Sequence, residues 1–198
     1  MNRAGFDRGE ACEHFARRSY RNGRGLKAPG CVKRVPCIGV ACMEAVLLIG
    51  IQGAGKSTFY YERFFHTHVR LSLDLLRTRN RERLLLEACL NARQPVVIDN
   101  TNVTAAGRAR YILPAKAAGF RVAGYFFEPD PKGSLSRNNL REGRSKVPPA
   151  ALYGTLKRLE RPLLKEGFDE LFRVRVSAEG GFRVSAWDGA CDEIPVAT

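Results

Sequence analysis

The octapeptide Gly50–Ser57, GIQGAGKS, constrains this chain more than any other stretch, because it completes the pattern G-x-x-x-x-G-K-[ST]. The apolar run Val46-Leu47-Leu48-Ile49 precedes it and reads as a buried parallel strand, and Ser57–Phe65 can continue as a helix. Strand, Gly-rich turn and helix form the setting in which such a loop cradles phosphates. Gly50, Gly53, Ala54 and Gly55 let the backbone curl so that its N–H groups converge on phosphate oxygens, and the helix N-terminus adds partial positive charge. Lys56 is expected to reach the β- and γ-phosphates of ATP and Ser57 to hold Mg²⁺, with Thr58 completing the donor loop.

From Met43 onward, short apolar runs alternate with helical stretches. His68–Ser72 predicts a short strand, Leu73–Asn91 one helix, Val96–Ile98 a buried strand, and Thr104–Ala118 a helix capped by Thr104. Arg121–Phe127 predicts the next strand, Lys132–Glu142 and Pro149–Glu166 two more helices, and Leu171–Val176 the last strand. Gly180-Gly181 reads as the start of a loosely specified tail. This alternation implies a parallel sheet covered on both faces, the three-layer α/β arrangement of P-loop NTPases and kinases, with a helical lid. Ligands of such sheets bind beyond the strands' carboxyl ends. The P-loop, Ser72–Asp74 and Asp99–Asn102 all follow strand ends, so three polar clusters share one rim.

The expected organisation is a basic arm or mis-assigned start over residues 1–42, a kinase domain over 43–176 and a tail over 177–198. The net charge is +13, and residues 1–42 hold nine Lys/Arg against three Asp/Glu, +6 of that excess. Such a balance suits a polyanionic partner. Four of the six cysteines (Cys12, Cys31, Cys37, Cys42) lie in the arm with His14, but Cys37 and Cys42 form a lone C-x₄-C pair with no second pair at metal-ligand spacing, which is a poor metal signature. No apolar stretch is long enough for a signal or a membrane span, so the cysteines read as reduced thiols of a cytoplasmic protein.

A phosphotransferase needs more than a donor loop. It needs a base for the acceptor hydroxyl and cations for the charge on the transferring phosphoryl group. Asp74, a lone carboxylate just past a strand, is the base candidate, and an N-cap role is compatible with it. Asp99 ends a buried strand, where an acid commonly belongs to the Mg²⁺ shell, although Asp99-Asn100 also suits a turn. Arg137 and Arg141 are four apart, so a helix would present both on one face toward a triphosphate, as a lid does, or toward solvent.

Together, GIQGAGKST, the Asp-x-x-Arg at Asp74–Arg77, IDNTN at Ile98–Asn102 and RNNLR followed by Val147-Pro148 resemble the kinase domain of polynucleotide 5′-hydroxyl kinases, from about Ala45 to Phe172. The resemblance implies that Asp74 activates a 5′-hydroxyl and that Arg77 grips the acceptor's phosphate. It also implies that Arg141 clamps the donor phosphates, with Arg137 as second lid cation, and that Asn100 and Asn102 lie at the substrate. Ser72-Leu73 departs from the Asn-Arg frequent before the family's aspartate, and some relatives carry an Asp where Asn100 stands. Two rival readings share the motifs: a small-molecule P-loop kinase acting on a sugar, nucleotide-sugar or antibiotic, and a non-catalytic ATP-binding module.

Overall fold

The computed structural model describes residues 43–143, 146–177 and 180–187. The arm over 1–42, with its cysteines and His14, and the end of the tail lie outside the described residues. Five strands run parallel: β1 (Glu44–Ile49), β2 (Val69–Leu71), β3 (Val96–Asp99), β4 (Arg121–Phe127) and β5 (Glu170–Val176). A sixth, β6 (Phe182–Ala186), pairs antiparallel with β5, and the sheet order is β2-β3-β1-β4-β5-β6.

The central strands are apolar on both faces because each face is covered. Leu47, Ile49, Val96, Ile98, Val122 and Phe126 point to the side of α3 (Arg79–Asn91) and α4 (Ala105–Ala117). Val46, Leu48, Val97, Ala123 and Phe127 point to the side of α1 (Lys56–Arg63) and α6 (Pro149–Lys157). This is the reason the strands read as continuous runs rather than as alternation. Thr104 caps α4 by accepting from the Gly107 N–H, and Asp130 caps α5 (Pro131–Asn139) by accepting from the Gly133 N–H.

Four boundaries differ from expectation. The helix expected over Leu73–Asn91 is two: α2 (Leu73–Leu76) ends at Arg77, which takes a left-handed φ of 65°, and Thr78 then caps α3. The lid helix stops at Asn139 rather than Glu142. α6 stops at Lys157, and a 3₁₀ turn at Leu164–Glu166 follows. The tail is the largest correction. Gly180 and Gly181, both at positive φ, return the chain as β6, and Trp187 stacks on Phe126 at 4.9 Å. The sheet and core therefore run past residue 176.

Candidate active site

β1 delivers the chain into the loop with Gly53 at φ 73° and Gly55 at φ 94°. A Cβ on Gly53 would lie 2.5 Å from the Ser134 carbonyl oxygen of α5, so glycine is required both for conformation and for the close approach. Gly55 stands at the N-cap of α1 and abuts the Phe182 ring of β6, which also packs edge-on against Phe59. Ala54 is buried in the same cluster, while Thr58 is exposed on the first turn of α1. The Gly50 N–H donates to the Thr101 carbonyl at 3.0 Å, tying the loop to the end of β3.

Lys56 is only 8% exposed, and its Nζ donates to the carbonyls of Gly50 at 2.9 Å and Ile51 at 2.7 Å. Burial pushes its ammonium from the usual 10.5 down to about 8; Asp99 opposes that shift, Arg141 adds to it and Asp74 opposes it. The charges of all three expected site residues thus bear on Lys56. Ser57 Oγ donates to Asp99 Oδ2 at 2.8 Å, and the Asp99 side chain is 2% exposed. A hydroxyl and a buried carboxylate in contact suit a hard divalent cation that keeps most of its remaining ligands from phosphate and water. Among the described residues no cluster of three or more His, Cys, Asp or Glu side chains offers a metal site.

Arg70, which no sequence motif singles out, reaches the same place from β2. Its Nε and Nη2 donate to Asp99 Oδ2 at 2.8 and 2.5 Å, and Nη2 also reaches Ser57 Oγ at 3.2 Å. Its guanidinium lies over the rings of Tyr60 and Tyr61, 5.5 and 5.6 Å from their centroids. A charged residue within a three-residue strand was the available signal.

On the acceptor side, Asp74 and Arg77 are exposed on and just after α2, and among the described residues neither side chain makes a hydrogen bond or ion pair. Asn100 does not point to solvent as a substrate ligand would. Its Oδ1 accepts from the Leu73 N–H at 2.9 Å, while its Nδ2 donates to Glu82 Oε1 at 2.6 Å and contacts the Tyr111 hydroxyl at 3.2 Å. It fixes the start of the helix that carries Asp74. Glu82 is buried and also takes Arg79 at 2.9 Å, so α3 and α4 hold Asn100 in turn. Asn102 is a correction of the same kind. It is buried at φ 49°, its Nδ2 donates to the Leu48 carbonyl at 2.8 Å, and its own carbonyl accepts from the fully buried Arg108. It joins β1 to the loop after β3 instead of facing a substrate.

The two lid cations part company. Arg137 on α5 donates through Nε to the Gly53 carbonyl at 2.7 Å, so it braces the P-loop. Arg141 lies beyond the helix end, partly buried, and the shared face expected from the i, i+4 spacing does not form. The cause is Asn138. It is fully buried and pairs reciprocally with Val147, donating to its carbonyl at 2.7 Å and accepting from its N–H at 3.0 Å. That exchange draws the chain out of the helix after Asn139.

Strand order, loop and lid define a P-loop NTPase/kinase fold, which carries a nucleotide-binding site. An AAA domain family model matches residues 77–162, from the acceptor rim through α6 and after the P-loop itself. Among solved structures, a gluconokinase from Sinorhizobium meliloti superposes with a TM-score of 0.50 at 19% identity, covering 69% of this chain and 84% of that one. Kti12 from Chaetomium thermophilum, solved with ADP-AlF3, gives 0.51 at 14% identity, covering 66% and 88%. A chain of the Pnkp1/Rnl/Hen1 RNA repair complex gives 0.51 at 22% identity, covering 64% of this chain and 46% of that one. No helix among the described residues is long and apolar enough to cross a membrane.

Proposed function

We propose that this chain is an ATP-dependent phosphotransferase whose acceptor is the 5′-hydroxyl of a nucleic acid. The supporting observation is the placement of Asp74. A carboxylate with no hydrogen bond or ion pair among the described residues stands on a helix pinned to the end of β3, close enough for its charge to act on Lys56. A binding module without chemistry has no need of an exposed carboxylate there.

In this reading the acceptor hydroxyl attacks the γ-phosphorus while the bond to the β-γ bridging oxygen breaks and ADP leaves. The hydroxyl proton passes to Asp74. Lys56 turns from the Gly50 and Ile51 carbonyls toward the β- and γ-phosphates. Ser57 and Asp99 would hold Mg²⁺, which when bound neutralises charge on the phosphate oxygens. Arg141 stabilises the donor phosphates from the lid, while Arg137 keeps Gly53 in place. Arg77, exposed on the turn after Asp74, takes the acceptor's phosphate, as the resemblance of Asp74–Arg77 to polynucleotide kinases implies. The Pnkp1/Rnl/Hen1 match is in keeping with a nucleic-acid acceptor.

A second reading, a small-molecule kinase, is favoured by the gluconokinase match, which spans 84% of that chain. Incubation with γ-labelled ATP and a panel of 5′-hydroxyl RNA, 5′-hydroxyl DNA, 3′-phosphorylated nucleosides, bare nucleosides and sugar acids separates the two. Label on the 5′ ends is expected. Label on sugar acids with none on nucleic-acid ends would replace the first reading by the second.

A further inference from the structure

The mechanism leaves Arg70 without a task, yet it sits at the most consequential carboxylate of the donor side. Asp99 Oδ2 accepts three donors: Arg70 Nε, Arg70 Nη2 and the Ser57 hydroxyl. The same guanidinium lies 3.2 Å from Ser57 Oγ, toward the lone pairs that a cation would use. One side chain therefore contacts both groups expected to hold Mg²⁺. A buried carboxylate requires a counter-charge, and a fork-shaped cation meets that need in two hydrogen bonds.

We propose that Arg70 is an internal competitor of the divalent cation: guanidinium and metal are alternative partners of Asp99, so a metal binds only as Arg70 withdraws. The faces of Tyr60 and Tyr61 offer the withdrawn guanidinium a resting place, since a cation over an aromatic ring keeps favourable contact after its carboxylate is gone. The arginine is 24% exposed against 2% for the aspartate, so the movable partner is the one nearer solvent. The device makes the empty site a poor metal trap. A cation arriving with nucleotide brings phosphate ligands that compensate for the displacement, whereas a lone cation meets the competitor unaided. Its apparent affinity is reduced by the fraction of molecules in which Asp99 is free.

The inference rests on the reading of Ser57 and Asp99 as the metal pair, and the test separates the two. Mn²⁺ binding is measured by electron paramagnetic resonance on the full chain, with and without ADP, with Asp99→Asn as the background. In the absence of nucleotide, Arg70→Met should bind Mn²⁺ about 10–150-fold more tightly than wild type, the range of a lost charge-assisted contact. Arg70→Lys, which keeps the charge but loses the fork, should fall between them and serves alone if Arg70→Met does not fold. In Arg70→Met, adding Mn²⁺ should raise the melting temperature more than in wild type, because the cation then supplies the missing counter-charge. If wild type with ADP binds Mn²⁺ through Asp99 but the Arg70 variants bind it no more tightly, the competition is refuted while the metal pair stands. If Mn²⁺ fails to bind through Asp99 even with ADP, the metal pair and the competition fall together.

Discussion

The donor and acceptor sides of the rim are built in opposite ways. On the donor side almost every polar group has a partner: Lys56 on two loop carbonyls, Ser57 and Arg70 on Asp99, and Arg137 on Gly53. On the acceptor side the scaffold is bonded but the chemistry is not. Asn100 and Glu82 fix the start of α2, yet Asp74 and Arg77 project without partners among the described residues. A triphosphate is highly charged and the same for every ATP-dependent enzyme, so a buried set of charged groups, held by internal partners until the phosphates replace them, suits it. An acceptor differs between enzymes and must enter and leave, which favours exposed groups on a short helix. Perturbing one side should therefore leave the other side's binding intact.

The largest expected effect lies on the acceptor side. Asp74→Asn should lower turnover roughly 10²–10⁴-fold, the range for removing a general base. Its KM for ATP and its melting temperature should stay near wild type, because the carboxylate is exposed and bonds nothing among the described residues. Loss of ATP binding in isothermal titration would place Asp74 on the donor side and dissolve the contrast.

Next comes the donor lysine. Lys56→Met should cost about 10²–10³ in turnover, as removal of a preorganised positive group does, and should also change stability in a defined direction. The folded-state value of about 8 lies below the ordinary 10.5, so between those limits the unfolded chain binds more protons and stability rises with pH. Below pH 8 the wild type carries the full penalty of a buried ammonium. There Lys56→Met should be the more stable protein by roughly 1–3 kcal/mol, with the gap closing toward pH 10.5. Chemical denaturation at pH 7 and pH 10 checks this, and equal gaps at both would show that Lys56 is not buried as a cation.

The two sides also differ in how far the sequence exposes them. Gly50–Ser57 was legible because the motif encodes backbone conformation directly: glycines where φ is positive, then a helix start. The nearness of Asp99 to Ser57 was legible because both follow the ends of buried parallel strands and so share one rim. Arg70 was not, since its partner lies 29 residues away and no local pattern joins them. Asn102 looked like a ligand by its place in IDNTN, but burial gave it a structural task. Asn138 ended the lid helix through a pairing that helical periodicity cannot register. The tail was misjudged because Gly-Gly marks both a loose segment and a tight reversal. Val174-Arg175-Val176 and Phe182-Arg183-Val184 carried the matching alternation on either side of it.

Arg77→Ala should be a specificity change confined to the acceptor. A charge-assisted contact to phosphate is worth about 1.5–3 kcal/mol, or about 10–150-fold in kcat/KM. Wild type should prefer 3′-phosphorylated nucleosides to bare ones, and the variant should lose most of that preference with ATP unaffected. Asn100→Ala is expected to act more weakly, since it works through the backbone of α2 rather than on substrate. It should lower acceptor turnover by no more than about tenfold while costing roughly 1–3 kcal/mol of stability, because Glu82 and the Leu73 N–H lose a partner. A change in ATP KM there would show that the end of β3 couples the two sides.

The smallest expected effect concerns residues 1–42. Among the described residues both sides of the rim are made of residues after Met43, and the first backbone hydrogen bond of the sheet from this end is the Arg121 N–H donating to the Met43 carbonyl at 2.9 Å. Met43 itself packs against the core at the foot of β1. A chain beginning at Met43 should therefore keep its melting temperature and its ATP KM, and its turnover on a dinucleotide acceptor should change by less than about twofold. Long acceptors make the sharper comparison. The 1–42 segment carries +6 of the chain's +13 charge, and contacts to phosphates beyond the first would strengthen with strand length and weaken with salt. If the shortened chain loses affinity for a long 5′-hydroxyl strand in low salt but not for a dinucleotide, the basic segment belongs to the acceptor side. Equal kinetics on both acceptors at every salt concentration would leave α2 and Arg77 as the whole of that side.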